Sequence, residues 1–311
     1  MRHSSGMPKI AEPDPPGLTP IITRPEALAA GMTRDEVRHR LRSGRWRALA
    51  PGLYLREPLS GDDPFEVARQ AHVLEAVAAA RRIEGSAVAY GSAALMHGME
   101  LASGVPRRRE LVVPPGAWNG IRGGVRVRLA DLGANEVNST GEAPVTVPAR
   151  TWVDVARSSP LADALSVGDS ALRLGLTTPQ ALRATLDHHP AARGLKRADH
   201  ALALLSPLRE NPLESRAFAW FVEAGLPLPE CQVEIWDGHG FIGRVDFLWR
   251  WARLIAEVDG RLKYVDPEAL YAEKRREDRL RVDGYDVIRF GWWDIDDELC
   301  RRFENRLTRA A

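Results

Sequence analysis

A chain of 311 residues, 44% hydrophobic and 27% charged, has the composition of a folded globular protein of about two domains, and this excludes a disordered or fibrous one. No run approaches the roughly 18 apolar residues of a membrane-spanning helix. The N-terminus is polar and proline-rich, without the apolar stretch of a secretory signal, so a cytoplasmic protein without a membrane partner is expected. The 43 basic and 42 acidic residues leave a formal charge of +1. Bulk charge therefore does not select a partner.

Residues 1–20 contain five prolines and no periodicity, which reads as a flexible tail. Within 21–60, Thr23 with Glu26 and Thr33 with Glu36 have capping-box spacing, and Gly31 and Gly44 stand where helices end. These signals predict a short helix, a tight turn and a second helix over 34–42. A small hairpin around Pro51-Gly52 follows. The second helix and hairpin carry Arg34, Arg38, Arg40, Arg42, Arg45 and Arg47, opposed only by Asp35 and Glu36. Helix, turn, basic helix and hairpin is the order of a winged helix-turn-helix, in which such arginines meet DNA phosphates. A solvated surface helix in an arginine-rich chain is the alternative. The segment resembles the N-terminal winged helix of AbiEi-type antitoxins and related bacterial regulators over about 35 residues.

Residues 61–206 read as a connecting α/β region. Helices are expected at 64–84 and 87–101, strands near 109–113 and 124–129, and a strand-like run over 145–156. Helices at 161–174, 178–188 and 195–205 complete it. His97, His188, His189 and His200 lack carboxylates at ligand spacing and read as ordinary histidines. Cys231 and Cys300 are too few for a disulfide framework.

From residue 207 the pattern changes. Helix 211–225, runs at 232–236, 243–249 and 253–260, helix 267–284, strand 285–293 and helix 294–309 give the order αβββαβα of restriction-endonuclease-like folds. The fold class expected for the whole chain is therefore mixed α+β. On a strand Glu257 and Asp259 share one face. An antiparallel pairing brings Asp246 beside Glu257, and Glu214 can reach the same end of the sheet. Carboxylates gathered on an apolar sheet repel one another unless a cation neutralises them, and such hard oxygen ligands suit Mg²⁺ or Mn²⁺.

The stretch 211–296, with VDFLW, EVDG, EKRRE and GYDVIRF, resembles the PD-(D/E)XK nucleases, most closely a bacterial family related to very-short-patch-repair endonucleases. The resemblance matches Glu214 to the first-helix acid, Asp246 to the strand acid and Glu257 to the acid of the (D/E)XK element. It implies a metal-dependent endonuclease or nickase acting on duplex DNA, with Asp246, Glu257 and Asp259 on the metal. Asp259 occupies the position of the superfamily lysine. Only four lysines occur in the chain, and Lys263 and Lys274 flank the acids, so Lys263 is the first choice for the missing cation and Lys274 the second. Surface pairing of Lys274 with Asp278, alongside Glu277 with Arg281, is the competing account. The six tryptophans from 220 to 293 read mostly as core, with base stacking an alternative for Trp292 or Trp293. His239 sits in a turn. The rival function is a DNA-binding regulator of the type IV antitoxin kind with a silent nuclease-like domain; a homodimer is compatible with either.

Overall fold

The computed structural model describes residues 14–15, 20–56, 59, 61–133, 135–139, 142–189, 193–259 and 267–310. Lys263 and most of the expected tail 1–20 lie outside these residues.

The first unit is β1 (Ile21–Thr23), α1 (Arg24–Ala29), α2 (Arg34–Arg42), β2 (Arg47–Ala50) and β3 (Leu53–Leu55). Both capping boxes form: Thr23 and Thr33 each accept from the backbone N–H three residues on, and Glu26 and Glu36 reach back to the cap. The strands pair in the order β1-β3-β2. Because side chains alternate along a strand, Ile22 and Tyr54 face a small core with Ala27, Met32, Val37 and Trp46, while Ile21 and Leu53 face the next unit. The expected sequence of short helix, turn, basic helix and hairpin is present.

Next come α3 (Pro64–Ala80), β4 (Ala87–Val88), α4 (Tyr90–Met96), β5 (Arg109–Val113), β6 (Gly120–Arg122), β7 (Val125–Leu129), β8 (Val137–Ser139) and β9 (Pro144–Thr146). Their strands form a mixed sheet ordered β6-β7-β5-β4-β9-β8. Two expectations are corrected. The single helix over 87–101 is divided: Ala87-Val88 form a central strand paired with β5 and β9, and Tyr90 turns the chain into α4 at a φ of 53°. The strand-like run 145–156 is also divided, because Pro148 starts α5 (Pro148–Ser158). Burial of its β-branched residues beneath α6 (Leu161–Arg173), α7 (Pro179–His188) and α8 (Leu195–Ala203) overrides their strand preference.

The last part is α9 (Pro212–Glu223), β10 (Glu230–Asp237), β11 (Gly240–Trp249), β12 (Leu254–Asp259), α10 (Pro267–Val282), β13 (Asp286–Gly291) and α11 (Asp297–Ala310). Strands β10, β11 and β12 are antiparallel, and β12 pairs in parallel with β13 through the crossover α10. The αβββαβα order holds. One sheet face, with Phe247, Trp249, Ala256 and Phe290, packs in the same core as Phe221 of α9 and Phe303 of α11. The other face, with Leu248 and Ile255, meets Leu280 of α10.

The expected division between 206 and 207 falls inside one core, since Trp152 and Leu165 join the same cluster as Phe247 and Phe303. A buried ion pair crosses it: Arg209 donates from Nε to Asp169 Oδ2 at 2.6 Å, and Ser215 Oγ of α9 donates to the same oxygen at 2.8 Å. No helix among the described residues is long and apolar enough to cross a membrane.

Candidate functional site

Two of the acids expected from the sequence, Asp246 and Glu257, lie on the sheet face covered by α10. Phe247 pairs with Ala256, so one step along the same register sets Asp246 across from Glu257. Glu257 pairs in turn with Arg289 of β13, which places the three side chains abreast on adjacent strands. Asp246 is held across the gap, since its Oδ2 accepts the Val258 N–H at 2.9 Å.

Glu214 enters from the first turn of α9, where Asn211 caps the helix. It is buried and accepts from the Glu210 N–H at 2.8 Å and from Asn211 Nδ2 at 2.5 Å. The residue that joins it to the strand acids is Gln232. Its Nε2 donates to Glu214 Oε2 at 3.0 Å and to Asp246 Oδ1 at 3.1 Å. Gln232 has a φ of 53°, a conformation rare for a side-chain-bearing residue, and such backbone positions concentrate at functional sites. Sequence reasoning missed it, because its role depends on β10 lying beside β11. Burial and the adjacent Asp246 charge push the Glu214 carboxyl up to about 7.

Among the described residues, the cations beside Glu257 are two arginines, while Lys263 lies outside those residues. Arg276 Nη2 on α10 donates to both oxygens of Glu257, at 2.7 and 2.9 Å, and also to Glu273. Arg289 Nη2 lies 3.0 Å from Glu257 Oε2 and donates to Glu273 as well. Burial pushes the Glu257 carboxyl up while the two guanidiniums oppose that rise. Burial also works against the Arg276 charge, but Glu273 and Glu257 outweigh it and hold its pKa above the usual value. Arg289 Nε is buried without an acceptor among the described residues, which leaves a donor for an anionic oxygen.

Lys274 is exposed on α10, and among the described residues it makes no ion pair, whereas Glu277 pairs with Arg281 as the surface reading expected. Asp259 is not brought into a three-carboxylate group. It lies two residues beyond Glu257, about 6.6 Å along the strand, and no group of three His, Cys, Asp or Glu among the described residues is arranged to hold a metal. The donors that do face each other, Asp246 and Glu257, are hard oxygens. Mg²⁺ binds through one or two carboxylates with water and substrate phosphate completing its shell, so this donor set fits it in kind. Glu257 must first be released from its guanidiniums.

The six arginines of the first unit separate into two classes. Arg34, Arg38 and Arg42 recur every four residues on one exposed face of α2, and Arg47 is exposed on β2. Arg45 is half-buried. Arg40 is buried and corrects the expectation of a DNA contact: its Nε donates to Asp14 at 2.7 Å, and its guanidinium lies over the Trp46 ring. Asp14 also accepts from Trp46 Nε1 and Arg56 Nε, each at 3.0 Å, so this part of the expected tail is anchored.

The other single residues divide similarly. His189 has a carboxylate partner after all, Glu136 at 2.5 Å, contributed from 53 residues away. His239 occupies a turn closed on Asp237. Of the six C-terminal tryptophans, Trp249 is core, but Trp236, Trp251 and Trp293 are exposed, and Trp292 stacks under Arg216.

No family model matches the chain. It is 31% identical over 168 residues to the uncharacterized protein MT2308 of Mycobacterium tuberculosis strain CDC 1551 / Oshkosh. The uncharacterized protein Rv2248 of Mycobacterium tuberculosis strain ATCC 25618 / H37Rv gives the same identity over the same length. The match spans 53% of this chain and 62% of each relative, so the chain covers less than two thirds of the curated relatives it matches. Among solved structures, the crystal structure of the RV2827C protein from Mycobacterium tuberculosis aligns over 70% of this chain and 83% of that one, at 16% identity and a TM-score of 0.37.

Proposed function

We propose that the protein is a divalent-metal-assisted DNA endonuclease or nickase of the PD-(D/E)XK kind, directed to duplex DNA by an N-terminal winged helix. The observation that carries this reading is the alignment of Asp246 with Glu257 across β11 and β12, with Glu214 tied to Asp246 through Gln232. Asp246 and Glu257 would hold Mg²⁺ or Mn²⁺, which when bound polarises a phosphodiester and lowers the pKa of its water. Gln232 fixes the orientation of Asp246. Glu214, uncharged over part of the neutral range, holds a proton close to the strand acids. The guanidiniums of Arg276 and Arg289 supply the positive charge beside the reacting phosphate that the (D/E)XK lysine would otherwise bring. The stripe Arg34, Arg38 and Arg42 on α2, with Arg47, meets backbone phosphates.

One observation favours a second reading, a DNA-binding regulator of the type IV antitoxin kind whose nuclease-like domain is silent. Both oxygens of Glu257 are already neutralised by arginine, so the acid needs no metal to remain in the fold.

Nicking of a supercoiled plasmid with Mg²⁺ or Mn²⁺ separates the two. The nuclease reading expects cutting that Asp246→Asn and Glu257→Gln each lower by at least about a thousandfold, while filter binding to duplex DNA stays within about twofold of wild type. Tight, salt-sensitive duplex binding without cutting in either metal selects the regulator.

A further inference from the structure

Between the turn of the β2–β3 hairpin, α3 and the end of the mixed sheet formed by β5, β7 and the edge strand β6 lies a cleft of about 550 Å³. Its floor is aliphatic, and its charged lining is Arg82, Arg109 and Arg122 against a single acid, Glu75. Positive charge is therefore in excess. Glu75 is also shared, 3.3 Å from Arg109 and 3.8 Å from Arg47. Arg82 and Arg122 form no ion pair among the described residues, and both are exposed at the rim. Arg109 is set in place: besides Glu75, it donates to the Gly123 carbonyl at 3.3 Å. A Cβ at Gly124 would stand 2.5 Å from its guanidinium, so that turn must be glycine for the arginine to lie there.

The remaining lining residue of note is Trp118, which is 54% exposed despite being among the largest apolar side chains in the chain. Its indole is backed by Gly120, where a Cβ would come within 3.1 Å of the ring. An oriented indole face beside guanidiniums, over an apolar floor, is a combination that binds a flat ring carrying an anion. Guanidiniums recognise phosphate through paired donors, and indoles stack on bases whatever their sequence. The volume is that of a small-molecule site and too small for a duplex.

We propose that this cleft binds a single nucleotide unit, its phosphate on Arg82, Arg109 and Arg122 and its base on Trp118. A free nucleotide and an unpaired nucleotide of a DNA strand present the same chemistry. The site is independent of the acid cluster and requires no metal.

The test uses the full-length protein in EDTA, so nuclease activity does not enter. Calorimetric titration with deoxyadenosine monophosphate and with ribose 5-phosphate is set beside competition binding of a blunt duplex and of the same duplex with a short single-stranded overhang. Binding of the mononucleotide identifies the free ligand. A preference for the overhang of about tenfold, without mononucleotide binding, identifies a strand. In either case Arg82→Ala with Arg122→Ala weakens binding about tenfold, and Trp118→Ala removes the advantage of the base-bearing probe. All three side chains are exposed or half-exposed, and Trp118→Phe serves as a conservative control that retains a stacking ring. Failure of both probes to bind, or affinities unchanged in the double arginine variant and in Trp118→Ala, overturns the proposal. A chain that cuts no plasmid yet passes this test keeps the cleft and loses only the nuclease reading.

Discussion

Glu214 is a buried carboxyl whose neighbours pull in opposite directions. Three donors hold its oxygens, while burial and the Asp246 charge push its pKa from an ordinary 4.5 to about 7. An acid raised in the folded state adds stability below its unfolded value, and that contribution is lost as the pH rises through the folded one. Stability attributable to Glu214 should therefore be full below about pH 4.5 and spent by about pH 7.5. Glu214→Gln should remove this slope, so that the wild-type-minus-variant difference in urea unfolding falls by about 2–3 kcal/mol between pH 4.5 and pH 8. A difference that stays constant with pH would refute a proton held on Glu214. At this scale Asp246 and Glu257 were legible in the sequence, because two strands joined by a short turn pair antiparallel and can set the two acids across from each other. Gln232, Arg276 and Arg289 were not, since their place beside the acids depends on pairings 14 to 32 residues apart.

Helix α2 shows how one element divides its arginines. A four-residue repeat keeps Arg34, Arg38 and Arg42 on the outer face, whereas Arg40 falls beside Val37 and turns inward to Asp14 and Trp46. Two variants of this helix, one single and one double, should therefore behave differently. Arg40→Ala takes from the half-buried Asp14 one of its two guanidiniums, leaving Arg56, and takes the cation from the Trp46 ring, and should destabilise the protein by about 1–2 kcal/mol in urea unfolding. Arg38→Ala with Arg42→Ala should cost no more than about 0.5 kcal/mol each. The same double variant should lower the slope of log affinity for duplex DNA against log salt by about two. An unchanged slope would remove α2 from the DNA surface. The capping boxes and the hairpin turn were readable because their partners lie three or four residues apart. The inward turn of Arg40 depends on an acid 26 residues upstream in a segment without periodicity.

At the scale of the whole molecule, the helices α5 to α8 of the connecting region and the C-terminal sheet share one apolar core, and the Asp169–Arg209 pair fastens α6 to the segment that leads into α9. Both side chains are about 1% exposed. Removing one partner strands the other charge in the interior, so Arg209→Ala should cost about 3–5 kcal/mol. Because that core is continuous, the loss should shift a single transition covering α5 to α8 together with the C-terminal sheet and its helices. It should be read by tryptophan fluorescence and far-ultraviolet circular dichroism together. Separate transitions for the two regions would show that they unfold independently.

What the sequence determined by itself was whatever rests on near neighbours: helix starts at Pro and Ser/Thr/Asp/Asn caps, the hairpin at Pro51-Gly52, and the alternation that puts Glu257 and Asp259 on one strand face. The αβββαβα order followed from the same signals. Tertiary structure decided the rest. Two residues, Ala87 and Val88, became a central strand because β5 and β9 flank them, against the helical preference of the alanines around them. Two arginines became the counter-charge of Glu257 because a parallel crossover aligns β13 with β12 and lays α10 over both. Each of these outcomes depends on hydrogen bonds and burial between segments distant in the chain, whose free energy exists only once the segments have met.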